Sequence, residues 1–290
     1  MSETRAVSVE PNTIPVPTEY ASLGASSAYA PKAPDDLKIV LVGFSGSGKT
    51  TFAASVPNSI VLDFEAAHSQ IPTEQRRNFY ISLRNQEHYK AVRDKLLRDA
   101  KDKHRPVRRI IIDTVDTWTD WLSADLTREK GCEAIEEIGR EGTGYSMLRR
   151  RVLHDLDLFE QAGYSWLICA HLKTERKTGP DGKEVTRIRE SMAPSLAERI
   201  TSRAEYVLTA YFYTETVQVQ KQVKLADGRT INAPETKTIN RYSLLTIGSV
   251  ERPGKARIQL PEDEILLPKI GGWELFRDVY LKASGQTGSQ

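Results

Sequence analysis

The chain has 290 residues, 39% hydrophobic and 28% charged, enough to bury one sizeable core. Its 41 basic and 39 acidic residues leave a net charge of +2, so no global field marks a nucleic-acid or membrane-surface partner, and any such contact must come from a local patch. Cys132 and Cys169 lie far apart without CxxC or Cys/His spacing, which gives no zinc or disulfide framework, and no run approaches the eighteen or so apolar residues of a membrane span. With no basic segment leading into an apolar core at the N-terminus, the expectation is a soluble, cytoplasmic protein with no membrane partner.

Residues 1–36 carry five prolines among Ser, Ala, Thr and Glu with no sustained apolar period, and read as a disordered tail. From Leu37 the texture changes. "LKIVLVG", "SIVLDFE", "RRIIIDT" and "YSWLICAH" are nearly continuous apolar strands separated by helical spacings, which predicts a mostly parallel sheet buried on both faces. The helices show as Tyr89, Val92 and Leu96, then Trp118, Trp121 and Leu122, then Leu148, Val152 and Phe159, all read as core. The polar stretch 172–190, with its Gly-Pro-Asp-Gly turn, reads as a long mobile loop, and 211–247 reads as an antiparallel β-hairpin extension around Asp227-Gly228. Trp273, Phe276 and Tyr280 mark a last helix before a flexible tail at 283–290. The fold class is therefore α/β, with one domain over 37–282.

The first strand runs into "GFSGSGKTT". Gly43, Gly48, Lys49 and Thr50 match G-x-x-x-x-G-K-[ST] between a strand and a helix, where the motif belongs. Glycines let successive backbone N–H groups turn inward, and the helix start adds partial positive charge, so Gly43, Ser45, Gly46, Ser47, Gly48, Lys49, Thr50 and Thr51 form a phosphate cradle. Lys49 is expected at the β- and γ-phosphates of ATP, and the Thr50 hydroxyl on Mg²⁺. Asp113, ending "RRIIIDT", is the expected second metal group; the alternative reading makes it a helix cap. Asp63 and Glu65 share one side of the second strand, and Glu65 is the better candidate to polarise the attacking water.

The order "GFSGSGKT", "VLDFEAAH", "IIIDTVDTW", "YSWLICAHLK" and "ERPGKARIQLP" resembles the RecA-type ATPase core, and more narrowly the small phage-encoded ATP-binding proteins of single-strand annealing and recombination. The resemblance covers roughly Leu37 to Leu281. It implies that Glu65 activates water, that His171 stands where a γ-phosphate sensor stands, and that Lys255 and Arg257 of "PGKAR" form a K-x-R element reaching a neighbour's nucleotide. It also implies single-stranded DNA as partner, a homo-oligomer, and DNA held by 172–190, which has six cations against four acids. Two other readings stand beside it: a nucleotide-gated interaction protein docking on a partner such as a single-strand-binding protein, and a P-loop kinase for a small metabolite with Asp63 or Glu65 at the acceptor.

Overall fold

The computed structural model describes residues 18–23, 30–102, 105–178, 184–224, 230–249 and 253–286. In the N-terminal unit, residues 1–32, one helical turn is described, α1 (Thr18–Ala21). The second unit, 33–290, is α/β. Its elements in chain order are β1 (Ile39–Gly43), α2 (Lys49–Ala54), β2 (Ser59–Asp63), β3 (Phe79–Ser82), α3 (Gln86–Lys101), β4 (Arg109–Asp113), α4 (Val115–Lys130) and α5 (Thr143–Gln161). They continue with β5 (Ser165–Thr178), β6 (Glu184–Glu190), α6 (Pro194–Arg203), β7 (Tyr206–Lys224), β8 (Thr230–Leu245), β9 (Lys255–Ala256), β10 (Glu264–Leu267) and α7 (Gly272–Ser284).

The sheet order is β10-β8-β7-β1-β5-β4-β2-β3, parallel from β7 to β3 and antiparallel at β8 and β10. The apolar strands need cover on both faces, and alternate side chains divide between two layers. Val40, Val42, Ile110, Ile112 and Ile168 pack with Tyr89, Trp118, Val152 and Phe159 of α3, α4 and α5. Ile39, Leu41, Val61, Ile111 and Leu167 pack with Phe52 of α2 and with Trp273, Phe276 and Tyr280 of α7. Because the central strands are parallel, their carboxyl ends gather at one edge, where open α/β sheets form their sites.

Several sequence readings are corrected. The tail ends before Pro34, because the turn Pro34–Asp36 is tied to the sheet. Arg109, 1% exposed, donates from Nη2 to Pro34 O at 2.6 Å and to Leu37 O at 3.3 Å, with its guanidinium 4.4 Å above the Trp273 ring, and Ser165 Oγ donates to Asp35 O at 2.6 Å. The 172–190 stretch, read as a loop, is an antiparallel ribbon in which β5 runs on past the sheet and pairs with β6 from Leu172↔Glu190 to Thr178↔Glu184. Its faces are polar, so no apolar alternation betrayed it, but Thr174, Thr186 and Ile188 suit extended backbone. Its Gly-Pro-Asp-Gly turn and Lys183 lie outside the described residues. The second hairpin is longer than 211–247 suggested at its start: β7 is one continuous strand whose first residues pair with β1 inside the core, and β7 and β8 then pair as far as Lys224↔Thr230. Its Asp227-Gly228 turn is likewise outside the described residues. At the other end, helix α7 runs to Ser284, past the 282 boundary read from sequence.

Candidate active site

β1 delivers the glycine loop to the carboxyl edge. Gly46 (φ 76°) and Gly48 (φ 91°) adopt left-handed backbone that only glycine takes without strain. A Cβ on Gly43 would lie 2.3 Å from Ser47 Oγ and 2.7 Å from Ala210 O, so the turn closes only with hydrogen there. Ser45 and Gly46 are exposed at the loop tip, while Thr50 and Thr51 occupy the first turn of α2 and are half-buried. Ser47 Oγ is buried with no hydrogen-bond partner among the described residues. Lys49 is buried, and its Nζ donates to Gly43 O at 2.9 Å and Phe44 O at 3.0 Å, folding its charge back into the loop. Burial lowers its pKa, partly offset by the carboxylates of Asp113, Glu65 and Asp116.

Only β5 separates β1 from β4, so Asp113 faces the loop from two strands away. Its side chain is 1% exposed, and both carboxylate oxygens lack a hydrogen-bond partner of regular geometry. The cap reading therefore fails, since a capping carboxylate accepts from the first-turn N–H groups. Burial raises its pKa from 3.8 to about 6, and the neighbouring Thr50 hydroxyl offsets part of this pressure. The peptide between Asp113 and Thr114 is cis.

An orphaned, buried carboxylate beside a hydroxyl is a donor set that fits Mg²⁺, which prefers one or two protein ligands plus substrate phosphates to a protein cage. No cluster of three or more His, Cys, Asp or Glu side chains suited to hold a metal alone exists among the described residues. The raised pKa also fixes a stability signature. The penalty for ionising Asp113 in the folded chain is absent below the ordinary carboxylate value near 3.8, grows as pH rises, and is complete above about 6. Asp113→Asn is therefore expected to raise the thermal midpoint of the nucleotide-free protein at pH 8, by an amount worth on the order of 2–3 kcal/mol, and the gain should vanish near pH 4. An equal shift at both pH values in a thermal melt would overturn this account.

β2 ends on Asp63, which pairs in register with Asp113 but does a different task. It accepts from the backbone N–H groups of Glu65 (3.3 Å), Ala67 (3.2 Å) and His68 (3.1 Å) and from Ser82 Oγ (3.3 Å), pinning the turn that carries Glu65. That occupation removes Asp63 as an acceptor-binding group. Glu65 Oε1 accepts from Thr114 Oγ1 at 2.6 Å and Thr117 Oγ1 at 2.9 Å. His171 ends the core part of β5 opposite Gly43. Its Nδ1 lies 3.3 Å from Asp116 Oδ2 and 3.8 Å from Glu65 Oε1, and its backbone N–H donates to Asp116 Oδ2 at 2.6 Å. The bond to Asp116 raises the imidazole pKa, against a smaller opposing effect of burial.

The structure thus gathers Lys49, Thr50, Glu65, Asp113 and His171 at one edge. It does not bring Lys255 and Arg257 there. β9 pairs with the beginning of β7, at Tyr206 and Val207, and the β1 partner of Tyr206 is Ile39, so both cations stand at the opposite end of the strands. Lys255 Nζ donates to Thr201 O (3.0 Å) and Ser202 O (2.8 Å), and Arg257 Nε is 4.0 Å from Glu205. Residues that sequence reasoning missed are Asp116 and Thr117, which position His171 and Glu65. An acid and a threonine in the first turn of a helix are ordinary helix-start residues, so their pattern carried no separate signal.

Beside the loop, a cavity of about 580 Å³ opens between one face of α2 (Gly48, Thr51, Phe52, Ser55) and a second wall that includes Asn240 and Tyr242 of β8 and the Leu267–Gly272 segment. No helix among the described residues is long and apolar enough to cross a membrane. A family model described as an AAA domain matches residues 35–255, well over half of the chain. A comparison with curated proteins gives no match.

Proposed function

The chain belongs to the AAA-domain family of nucleotide-binding P-loop ATPases, and from that premise we propose that it hydrolyses ATP with Mg²⁺ in response to single-stranded DNA, as a homo-oligomer acting in recombination or strand annealing. Lys49 and the loop N–H groups hold the β- and γ-phosphates, and Thr50 and Asp113 hold the cation, which when bound draws charge from the phosphate oxygens. Glu65, steadied by Thr114 and Thr117, takes the proton of the attacking water.

The observation that carries the DNA half is the continuity of β5. One strand runs from His171, beside Glu65, directly into the ribbon with β6, so load on the ribbon reaches the site within a residue or two. Pairing also sorts charge. The register places Lys173 and Arg189 on the face that carries Glu175, while Arg176 shares the other face with Glu190. Arg189 Nε is held 2.8 Å from Glu175. Lys173→Ala combined with Arg187→Ala is expected to weaken single-stranded DNA binding and to flatten its salt dependence by about 0.7 in log–log slope per lost phosphate contact. Turnover measured with and without single-stranded DNA tests the whole reading, and an ATPase indifferent to DNA with an unchanged salt slope in the variant would refute it.

The second reading, a nucleotide-gated interaction protein, is favoured by the length of the β7–β8 ribbon. Beyond the core that ribbon has one exposed and one half-buried face and would offer a docking arm to a single-strand-binding protein.

A further inference from the structure

We propose that the root of the β7–β8 ribbon is one wall of a nucleoside pocket, with the base of the bound nucleotide stacked on Tyr242 and read at its edge by Asn240. The inference rests on the phosphate-binding reading of the glycine loop and extends it to the other half of the ligand. Phosphates held by Lys49 and Thr50 end at the first turn of α2, and Thr51 in that turn and Ser55 just past the helix end line the cavity of about 580 Å³. A nucleotide leaving the loop in that direction has its sugar and base there, in a space of the size small-molecule sites have.

The far wall supplies the right chemistry. Tyr242 is 38% exposed and lines the cavity, so part of its ring is open to a ligand there. Its ring is fixed on two sides: a Cβ on Gly48 would lie 3.0 Å from it, and the Phe212 ring centroid is 5.0 Å away at 44°. An aromatic face held still and open to a cavity is a stacking platform for a base. Asn240, two residues earlier on the same face of β8, lines the same cavity, and its carboxamide makes no hydrogen bond with the described residues. A carboxamide offers the paired donor and acceptor that match an adenine edge.

Because β8 is paired residue by residue with β7 out to Lys224↔Thr230, whatever presses on Tyr242 and Asn240 presses on the whole ribbon. The site therefore has two protruding arms joined to it, β5–β6 at the terminal phosphate and β7–β8 at the base. The second is addressed by any nucleotide, spent or not.

The test compares two probes on the full chain with Mg²⁺ by calorimetry: ATP, and inorganic tripolyphosphate, which has the phosphates and no nucleoside. Wild type should bind ATP more tightly than tripolyphosphate. Tyr242→Ala should weaken ATP binding about tenfold or more while leaving tripolyphosphate affinity unchanged, and Tyr242→Phe should retain ATP binding. Lys49→Ala should weaken both probes. If Tyr242→Ala weakens both equally or neither, or wild type does not distinguish the probes, the nucleoside pocket is overturned while the phosphate site stands. If Lys49→Ala leaves both unchanged, the phosphate site itself is wrong and the pocket falls with it.

Discussion

Lys49→Ala should lose measurable ATP hydrolysis, with ATP affinity lowered at least about a hundredfold. The ammonium is the cation of the glycine loop, and in the free protein it is parked on Gly43 O and Phe44 O, 2.9 and 3.0 Å away. Burial has already lowered its pKa, so the charge is held at a desolvation cost that a phosphate would offset. Removing it leaves two backbone carbonyls without their donor but disturbs neither β1 nor the core face of α2. A folded Lys49→Ala protein, checked by circular dichroism, that still turned over ATP at the wild-type rate would end the P-loop account.

Glu65→Gln should behave differently in kind: ATP binding kept, turnover slowed at least about a hundredfold. Oε1 serves as acceptor for the Thr114 and Thr117 hydroxyls, and the amide oxygen of glutamine can accept both bonds unchanged. What the amide cannot do is take a proton. Equilibrium binding and single-turnover hydrolysis on the same preparation separate the two, and a variant that lost ATP binding instead would move Glu65 to the cation or to a structural task.

Much of this site was legible because the phosphate motif is local. Gly43 to Thr51 are consecutive, and the strand that must precede them is apolar throughout. Asp113 and Glu65 could be found because the first closes such a strand and the second follows one by two residues, and parallel strands bring their ends to one edge whatever lies between. The partners of those groups were hidden by distance in sequence: Thr114 and Thr117 meet Glu65 across 49 and 52 residues, and Asp116 meets His171 across 55. Strand β3 escaped because it is half-exposed at the sheet margin and carries no buried alternation, with Phe79 48% exposed. The β5–β6 ribbon escaped for the complementary reason that backbone pairing needs no apolar pattern. Lys255 and Arg257 show the converse hazard. A motif read along the chain does not fix its own place, and β9 sets these two cations beside the start of β7, at the opposite end of the strands from this chain's own glycine loop.

The anchoring of Pro34–Asp36 limits how far the chain can be shortened from its N-terminus. Cutting at Leu37, where the apolar texture begins, would take away the Pro34 carbonyl that receives the Arg109 guanidinium and the Asp35 carbonyl that receives Ser165. A cation buried against Trp273 would then keep only the longer bond to Leu37 O, and orphaning a buried charged donor costs several kcal/mol by order of magnitude. Trimming at Ala33 preserves every one of these contacts, so the safe border for an expression fragment is set by an arginine at the opposite end of the strands from the glycine loop.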